Sequence, residues 1–292
     1  MRYFKNLHPI CIFCYLVLVI LLILLCKDPF VMLLACFGAL FFLARTETRN
    51  TAIGRLKMLL PMVLLITIAN PLVSHKGITR LFLMFGQWIT LEAVCYGITS
   101  GLSLAALILW FACYQKLMTS DKFLYLFGKI APASALLITM ALNLVSKLQL
   151  QLKQIQDSQE MLRPEPMGNL QKLKKAMRHV STLLGWSLEN TVEQADSMKA
   201  RGYGIQRRTT FHLFRFETRD AMFLGVLTLL GVLCLAARFA GCGVMEFYPR
   251  MDALSFDGKH LLFYGVFGIL VCIPGILEWK EELLWRFYSL NQ

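Results

Sequence analysis

The sequence predicts an all-α, polytopic membrane protein of about six spans, with two long amphipathic helices on its cytoplasmic side. Three observations predict it: an apolar excess, a series of apolar runs as long as a bilayer is thick, and a basic stretch of helical periodicity too polar to cross. The 292 residues are 57% hydrophobic and 16% charged, with a mean hydropathy of +0.58. A soluble domain carries roughly 25% charged and 45–50% apolar residues, so this chain has more apolar surface than one globular core buries. That excludes a disordered protein and disfavours a soluble enzyme. The net charge of +12 suits basic cytoplasmic loops. Nucleic acid is not an expected partner, because much of the charge flanks apolar segments.

Apolar runs able to cross roughly 30 Å of hydrocarbon occur at 9–26, 58–73, 91–115, 221–240 and 260–277, with a shorter one at 29–44. The first, behind Arg2 and Lys5, resembles a signal peptide. No small-x-small cleavage site follows and Leu25 precedes Cys26, so it reads as an uncleaved span. Pro71 after Asn70 closes the third run. The positive-inside rule puts Arg45, Arg49, Arg55 and Lys57 in the cytoplasm, so the fourth run returns the chain there near Tyr114.

A seventh run, 130–145, decides the topology. Residues 147–219 carry 13 Lys/Arg against 7 Asp/Glu, a net of +6, and belong inside. They stay inside only if 130–145 does not cross. Thr139, Asn143 and Ser146 dilute it and Pro132 interrupts its start. It is expected to lie along the interface and lead into the polar helix beyond. Six spans with both termini cytoplasmic follow. The chain divides into a membrane region at 1–129, a cytoplasmic region with its interfacial segment at 130–220, and a second membrane region at 221–292.

Two helices are expected in the cytoplasmic region. Leu144, Leu148, Leu152 and Ile155 form a helical stripe ending near Leu162, where Pro164 and Pro166 stop it. In the second, Leu170, Leu173, Met177, Val180, Leu184, Leu188, Val192, Ala195 and Met198 recur every three or four residues on one face. Gly202 and Gly204 end it as C-cap residues. Its first half carries Lys172, Lys174, Lys175 and Arg178, which suit anionic lipid headgroups. The stripe wants a partner: the other helix, the membrane-proximal segment or another protein.

The end of this helix reads Ala195-Asp196-Ser197-Met198-Lys199-Ala200-Arg201-Gly202-Tyr203-Gly204. It resembles the A-x-x-M-x-A-R-G-[YF] signature of the transmembrane (T) component of energy-coupling-factor transporters, the family of cobalt- and biotin-permease membrane subunits. Asn70-Pro71-Leu72, Gly77-Ile78-Thr79, Ile89-Thr90-x-Glu92-Ala93 and Thr119-Ser120 leading to Pro132-x-x-x-Leu136 agree in order, so the likeness covers about 60–230. It implies a multi-pass subunit of a bacterial or archaeal cell membrane. Such a subunit couples two cytoplasmic ABC-type ATPases to a small membrane-embedded substrate-capture subunit importing a vitamin or a transition-metal ion. It also implies that Arg201, flanked by Ala200 and Gly202, is a docking tip in a groove of one ATPase. The first tip departs from the family: Ser158-Gln159-Glu160-Met161-Leu162-Arg163-Pro164 stands for an Ala-Gln-x-Ala-Arg-Gly-like string. Gln159 and Arg163 are the carry-over, with Pro164 in place of the glycine. An ordinary C-cap arginine is the plainer reading of Arg201, since a guanidinium there is favoured by the helix dipole. Its rigid fork of donors and small neighbours also suit docking.

No chemistry is expected in this chain. A G-x-x-x-x-G-K-[ST] loop is absent, since Gly128-Lys129 and Gly258-Lys259 lack its flanking residues. No enzyme activity, cofactor or metal is therefore expected. His8, His75, His179, His212 and His260 are scattered without ligand spacing. Cys11-x-x-Cys14 lies in an apolar helix with no second pair, and most of the nine cysteines border apolar runs, where a thiol packs as a small hydrophobe. Glu92, an acid at the start of the fourth run, reads as a cap or interface residue, or else as a contact to the capture subunit. Glu281-Glu282-x-x-x-Arg286 matches an intramembrane glutamate protease motif. No histidine follows it, so a charged helical tail explains it better. Another ABC-type permease subunit is the remaining alternative.

Overall fold

The computed structural model describes residues 4, 7–46, 49–73, 77–84, 87–128, 130–162, 168–205, 214–247 and 257–290. In chain order they form α1 (Pro9–Leu25), α2 (Pro29–Thr46), α3 (Arg49–Val73), β1 (Arg80–Met84), β2 (Gln87–Thr90), α4 (Leu91–Leu117), α5 (Ser120–Gly128), α6 (Pro132–Leu162), α7 (Asn169–Ala200), α8 (Thr218–Phe239) and α9 (Gly258–Leu290). Two compact units result: residues 1–122 with 214–292, and residues 123–213. The two membrane regions that the sequence separates thus pack as one unit.

That first unit is built around α1. Ile12, Tyr15, Leu16, Val19, Leu22 and Ile23 have no exposed surface, so α1 is covered on most sides. The N- and C-terminal helix pairs lie alongside one another in parallel. At one end, the His8 N–H donates to the Asp220 carboxylate at 3.1 Å. Midway, Leu18 packs against Gly231, where a Cβ would lie 2.8 Å from a Leu18 methyl. At the far end, the Arg238 Nε–H donates to the Leu25 carbonyl at 2.9 Å. Hence α1 and α8 run parallel and in register. The same holds for α2 and α9: the rings of Phe30 and Tyr264 lie 4.8 Å apart, Gly38 faces Val271 and Gly275 faces Phe41, and Arg45 sits 5.9 Å from the Trp279 ring centre.

The buried acids at the two ends, Asp220 and Asp28, are satisfied, as low-dielectric surroundings require, whereas the buried Nδ1 of His260 beside Tyr264 has no partner among the described residues. Asp220 also accepts the Glu217 N–H at 3.0 Å, closing a capping box that starts α8. At the far end Asp28 accepts the Phe30 N–H at 3.0 Å and the Tyr264 hydroxyl.

α3 runs antiparallel to α4. Gly97 lies against Thr67 and Gly101 against Val63; a Cβ on either would sit 3.0–3.1 Å from a backbone carbonyl. This Gly-x-x-x-Gly spacing lets two apolar helices approach backbone to backbone. α4 begins at the far end, where the Tyr96 ring meets Phe247 at 5.5 Å. It passes Tyr15 of α1 through Trp110 at 5.9 Å. Its 27 residues rise about 40 Å, so Leu117 emerges at the end where α8 begins. Leu117 and Thr218 therefore lie at the same end of this unit.

One element departs from the all-α expectation. β1 and β2 form an antiparallel hairpin pairing Phe82 with Ile89 and Met84 with Gln87. It is tied to α4 by Glu92, only 2% exposed. The Glu92 carboxylate accepts the N–H groups of Ile78 and Thr79, at 3.3 and 3.1 Å, and the Thr79 hydroxyl. A side chain on Gly77 would strike that carboxylate at 2.6 Å. Glu92 thus fastens the hairpin to the first turn of α4, and its hydrogen-bonding capacity is spent within the chain.

Among the described residues, six helices are long and apolar enough to cross a membrane by length and composition, within α2, α3, α4, α6, α8 and α9. The membership differs from the sequence reading. α1, at 17 residues, is shorter than these six, and the apolar part of α6 continues without a break into the polar part that follows. Pro132 does not interrupt that helix; it occupies the first position, where proline costs no hydrogen bond. α3 runs on through Pro71 to Val73.

Candidate docking site

The second unit is a pair of long helices, α6 of 31 residues and α7 of 32, packed against each other. At 1.5 Å per residue α7 is a rod of roughly 48 Å.

The stripe on α7 is not the face that meets α6. Leu170, Leu173, Met177, Val180, Leu184, Leu188 and Val192 are all more than half exposed. Ala195 is exposed too and Met198 half-buried. The covered line on α7 instead runs through Lys175, His179, Leu183, Trp186, Asn190 and Gln194, nearly opposite the stripe at 100° per residue. His179 is buried, and both its Nδ1 and the Asn190 Nδ2 lack a hydrogen-bond partner among the described residues. On α6 the half-buried line includes Leu144, Leu148, Leu152 and Ile155, the positions of its own stripe. α6 therefore turns its apolar face inward, whereas α7 turns its apolar face outward.

The C-terminus of α7 is closed by its own backbone. The Gly202 N–H donates to the Lys199 carbonyl at 2.9 Å and the Tyr203 N–H to the Met198 carbonyl at 3.1 Å. This is the paired bond pattern of a Schellman cap. Gly202 has φ +81 and Gly204 φ +94, the left-handed region that glycine enters without a Cβ clash. Ala200 is the last helical residue and Arg201 the cap. Arg201 is exposed, and its N–H donates to the Ser197 carbonyl at 3.1 Å. Among the described residues its guanidinium has no ion pair or hydrogen bond. The nearby carboxylate of Asp196 is 3.8 Å from Lys199 instead.

The cap therefore holds Arg201 at a defined place without using its side chain. Gly202→Val should disturb that. A β-branched residue in the left-handed region costs about 1–3 kcal/mol, enough to fray the last turn. Amide exchange at Ile205 and at the residue-202 and Tyr203 positions, whose N–H groups close the cap, should accelerate, while Gly202→Asn stays close to the parent. Unchanged exchange in Gly202→Val would show that the cap does not depend on glycine.

Of the first tip, Gln159 is half-buried in the last turns of α6, and Arg163 lies outside the described residues. The described part of α6 runs to Leu162, and Pro164 and Pro166, expected to stop it, lie outside the described residues. α9 carries the Glu281-Glu282-x-x-x-Arg286 string in helical backbone as far as Leu290; the side chains of those three residues lie outside the described ones. All nine cysteines are free thiols. Cys11 is buried with its Sγ 3.6 Å from the Asp220 carbonyl, while Cys14 is exposed. Among the described residues no three His, Cys, Asp or Glu side chains gather as a metal site.

Sequence reasoning missed the outward orientation of the α7 stripe. It also missed the two polar clusters around Asp220 and Asp28, whose partners lie more than 200 residues away in sequence. No known family model matches the chain, and no match is found among curated proteins.

Proposed function

We propose that this chain is the membrane scaffold and energy-coupling subunit of an ATP-driven importer of the energy-coupling-factor type. It works in a bacterial or archaeal cell membrane with both termini cytoplasmic. Two ABC-type ATPases hydrolyse ATP, and this chain hydrolyses nothing. A small membrane-embedded subunit captures the vitamin or metal ion and docks on the spans and the 130–145 segment. One ATPase receives the α7 tip of Ala200, Arg201 and Gly202, and the other receives the Gln159–Arg163 end of α6. The two rods then carry ATPase movement to the capture subunit as rigid bodies.

The observation that carries this reading is the Arg201 guanidinium, exposed and unpaired among the described residues, on a closed, glycine-capped tip of a 32-residue helix. A cap arginine that served only its own helix would need neither the length nor the solvent-facing fork. Support for the topology comes from the first unit. Residues 118–217 start and finish at one end of it, so a single crossing by α6 would put the chain on the wrong side. Arg45, packed over Trp279 at that same end, is the basic-aromatic pairing favoured at a membrane interface.

Co-purification tests the reading: the tagged full chain should bring two soluble ATPase subunits out of native membranes, and recovery with Arg201→Glu should fall sharply. Topology is tested by Gln171→Cys in a Cys14→Ser background. An impermeant maleimide should fail to label intact cells and should label inverted vesicles. Labelling from outside would overturn the placement of both long helices.

A further inference from the structure

The first half of α7 presents a basic, apolar face that no described residue of the second unit covers. From Gly168 to Leu188 there is no Asp or Glu, and Lys172, Lys174, Lys175 and Arg178 all fall there. None of the four has a carboxylate partner among the described residues. On the side away from α6, Leu170, Leu173, Met177 and Val180 are 55–85% exposed. Lys174 and Arg178 flank that stripe by the 100° helical step. Beyond Leu188 the character changes: Glu189, Glu193 and Asp196 appear, and Lys199 is matched by Asp196. Charge thus divides α7 into a basic half with unanswered cations and an acidic half ending at Arg201.

A surface that complements the basic half must be apolar in one layer and anionic in the next. A protein groove can meet that description, but an anionic bilayer meets it without further specification. Its acyl boundary takes the Leu and Met side chains and its headgroups the flanking lysines. We propose that the Gly168–Leu188 half of α7 binds the anionic lipid surface, leaving the acidic half and Arg201 free of it. Lipid charge would then set how firmly the rod is held against the membrane. The inference rests on the membrane reading of the first unit, not on ATPase docking.

Hydroxyl-radical footprinting of the full chain in nanodiscs tests it, because two methionines lie on the two halves of the rod. In phosphatidylcholine containing phosphatidylglycerol, Met177 should oxidise several-fold more slowly than in phosphatidylcholine alone, and Met198 should not change. High salt should restore Met177 reactivity, as should replacing the exposed Lys172, Lys174 and Arg178 together by Gln, with Lys175, on the line toward α6, left in place. Equal Met177 reactivity in both lipids, with the chain incorporated, would overturn the lipid-binding face alone. Protection of Met177 only in native membranes with co-purified proteins, whatever the lipid, would assign the face to a protein instead. Failure to enter nanodiscs at all would overturn the membrane reading and this inference with it.

Discussion

If α7 docks an ATPase as proposed, replacing Arg201 by Glu is expected to reduce sharply the recovery of ATPases with the chain, and with it substrate-stimulated ATP hydrolysis, while membrane insertion is unchanged. The two effects separate because the tip is built by backbone bonds at Gly202 and Tyr203, which do not involve the residue-201 side chain. Helix stability should fall only by the dipole's preference for a cation, about 0.3–1 kcal/mol at an exposed terminus. Docking should fall further. A central interface arginine is commonly worth about 2–4 kcal/mol, or roughly 30- to 1,000-fold in affinity, and a carboxylate adds repulsion wherever the arginine met acid. Arg201→Lys keeps the charge and loses the planar fork, so intermediate recovery is expected. If Arg201→Glu retains both ATPases and full activity, the residue is a helix cap and the coupling role fails.

What the sequence discloses about this fold is set by the range of the interaction concerned. The long apolar runs are legible because each must satisfy its backbone alone. The ends of α7 are legible too, since Gly202 takes its φ from a local turn. Pro132 misled because proline breaks a helix interior but suits its first turn, and sequence alone does not say which one it occupies. The β1–β2 hairpin was hidden in a short stretch of Phe, Trp, Ile and Thr between two apolar runs. Its anchor Glu92 was recognised as an acid needing an explanation, but not as the residue that ties Thr79 to α4.

The candidate site divides in the same way. Arg201 and its glycine neighbours were found because a cap is a contiguous motif. Periodicity located the α7 stripe and left its partner open. In the structure α6 contacts the opposite line, through His179 and Asn190, which no apolar pattern marks. Two amphipathic helices need not pair through both apolar faces when a third surface competes for one of them.

The other large effect expected lies in the membrane-embedded unit, at Gly38. A Cβ built there would fall 1.9 Å from Val271 Cγ1 and 3.1 Å from the Val271 carbonyl oxygen. Val271 is 1% exposed, and its carbonyl lies 3.4 Å from the Tyr15 hydroxyl, so neither helix can move without disturbing α1. Gly38→Ala should therefore destabilise the unit by about 1–3 kcal/mol, the usual cost of overpacking, and Gly38→Leu should prevent stable folding. Val271→Ala alone should cost about 1–3 kcal/mol through lost packing and a small cavity. Together the two changes should cost less than their sum by at least about 1 kcal/mol, because the added methyl occupies the space the valine vacates. The thermal midpoint in detergent reads this, with Trp110, fully buried and bonded to the Ala35 carbonyl at 3.1 Å, as the fluorescent reporter. Additive losses would mean that α2 and α9 do not meet at Gly38 and Val271. Because α2, α9, α1 and α8 interlock through this contact and Tyr15, the parallel pairing of the two helix pairs would then be wrong. Leu117 and Thr218 would then no longer share one end of the unit.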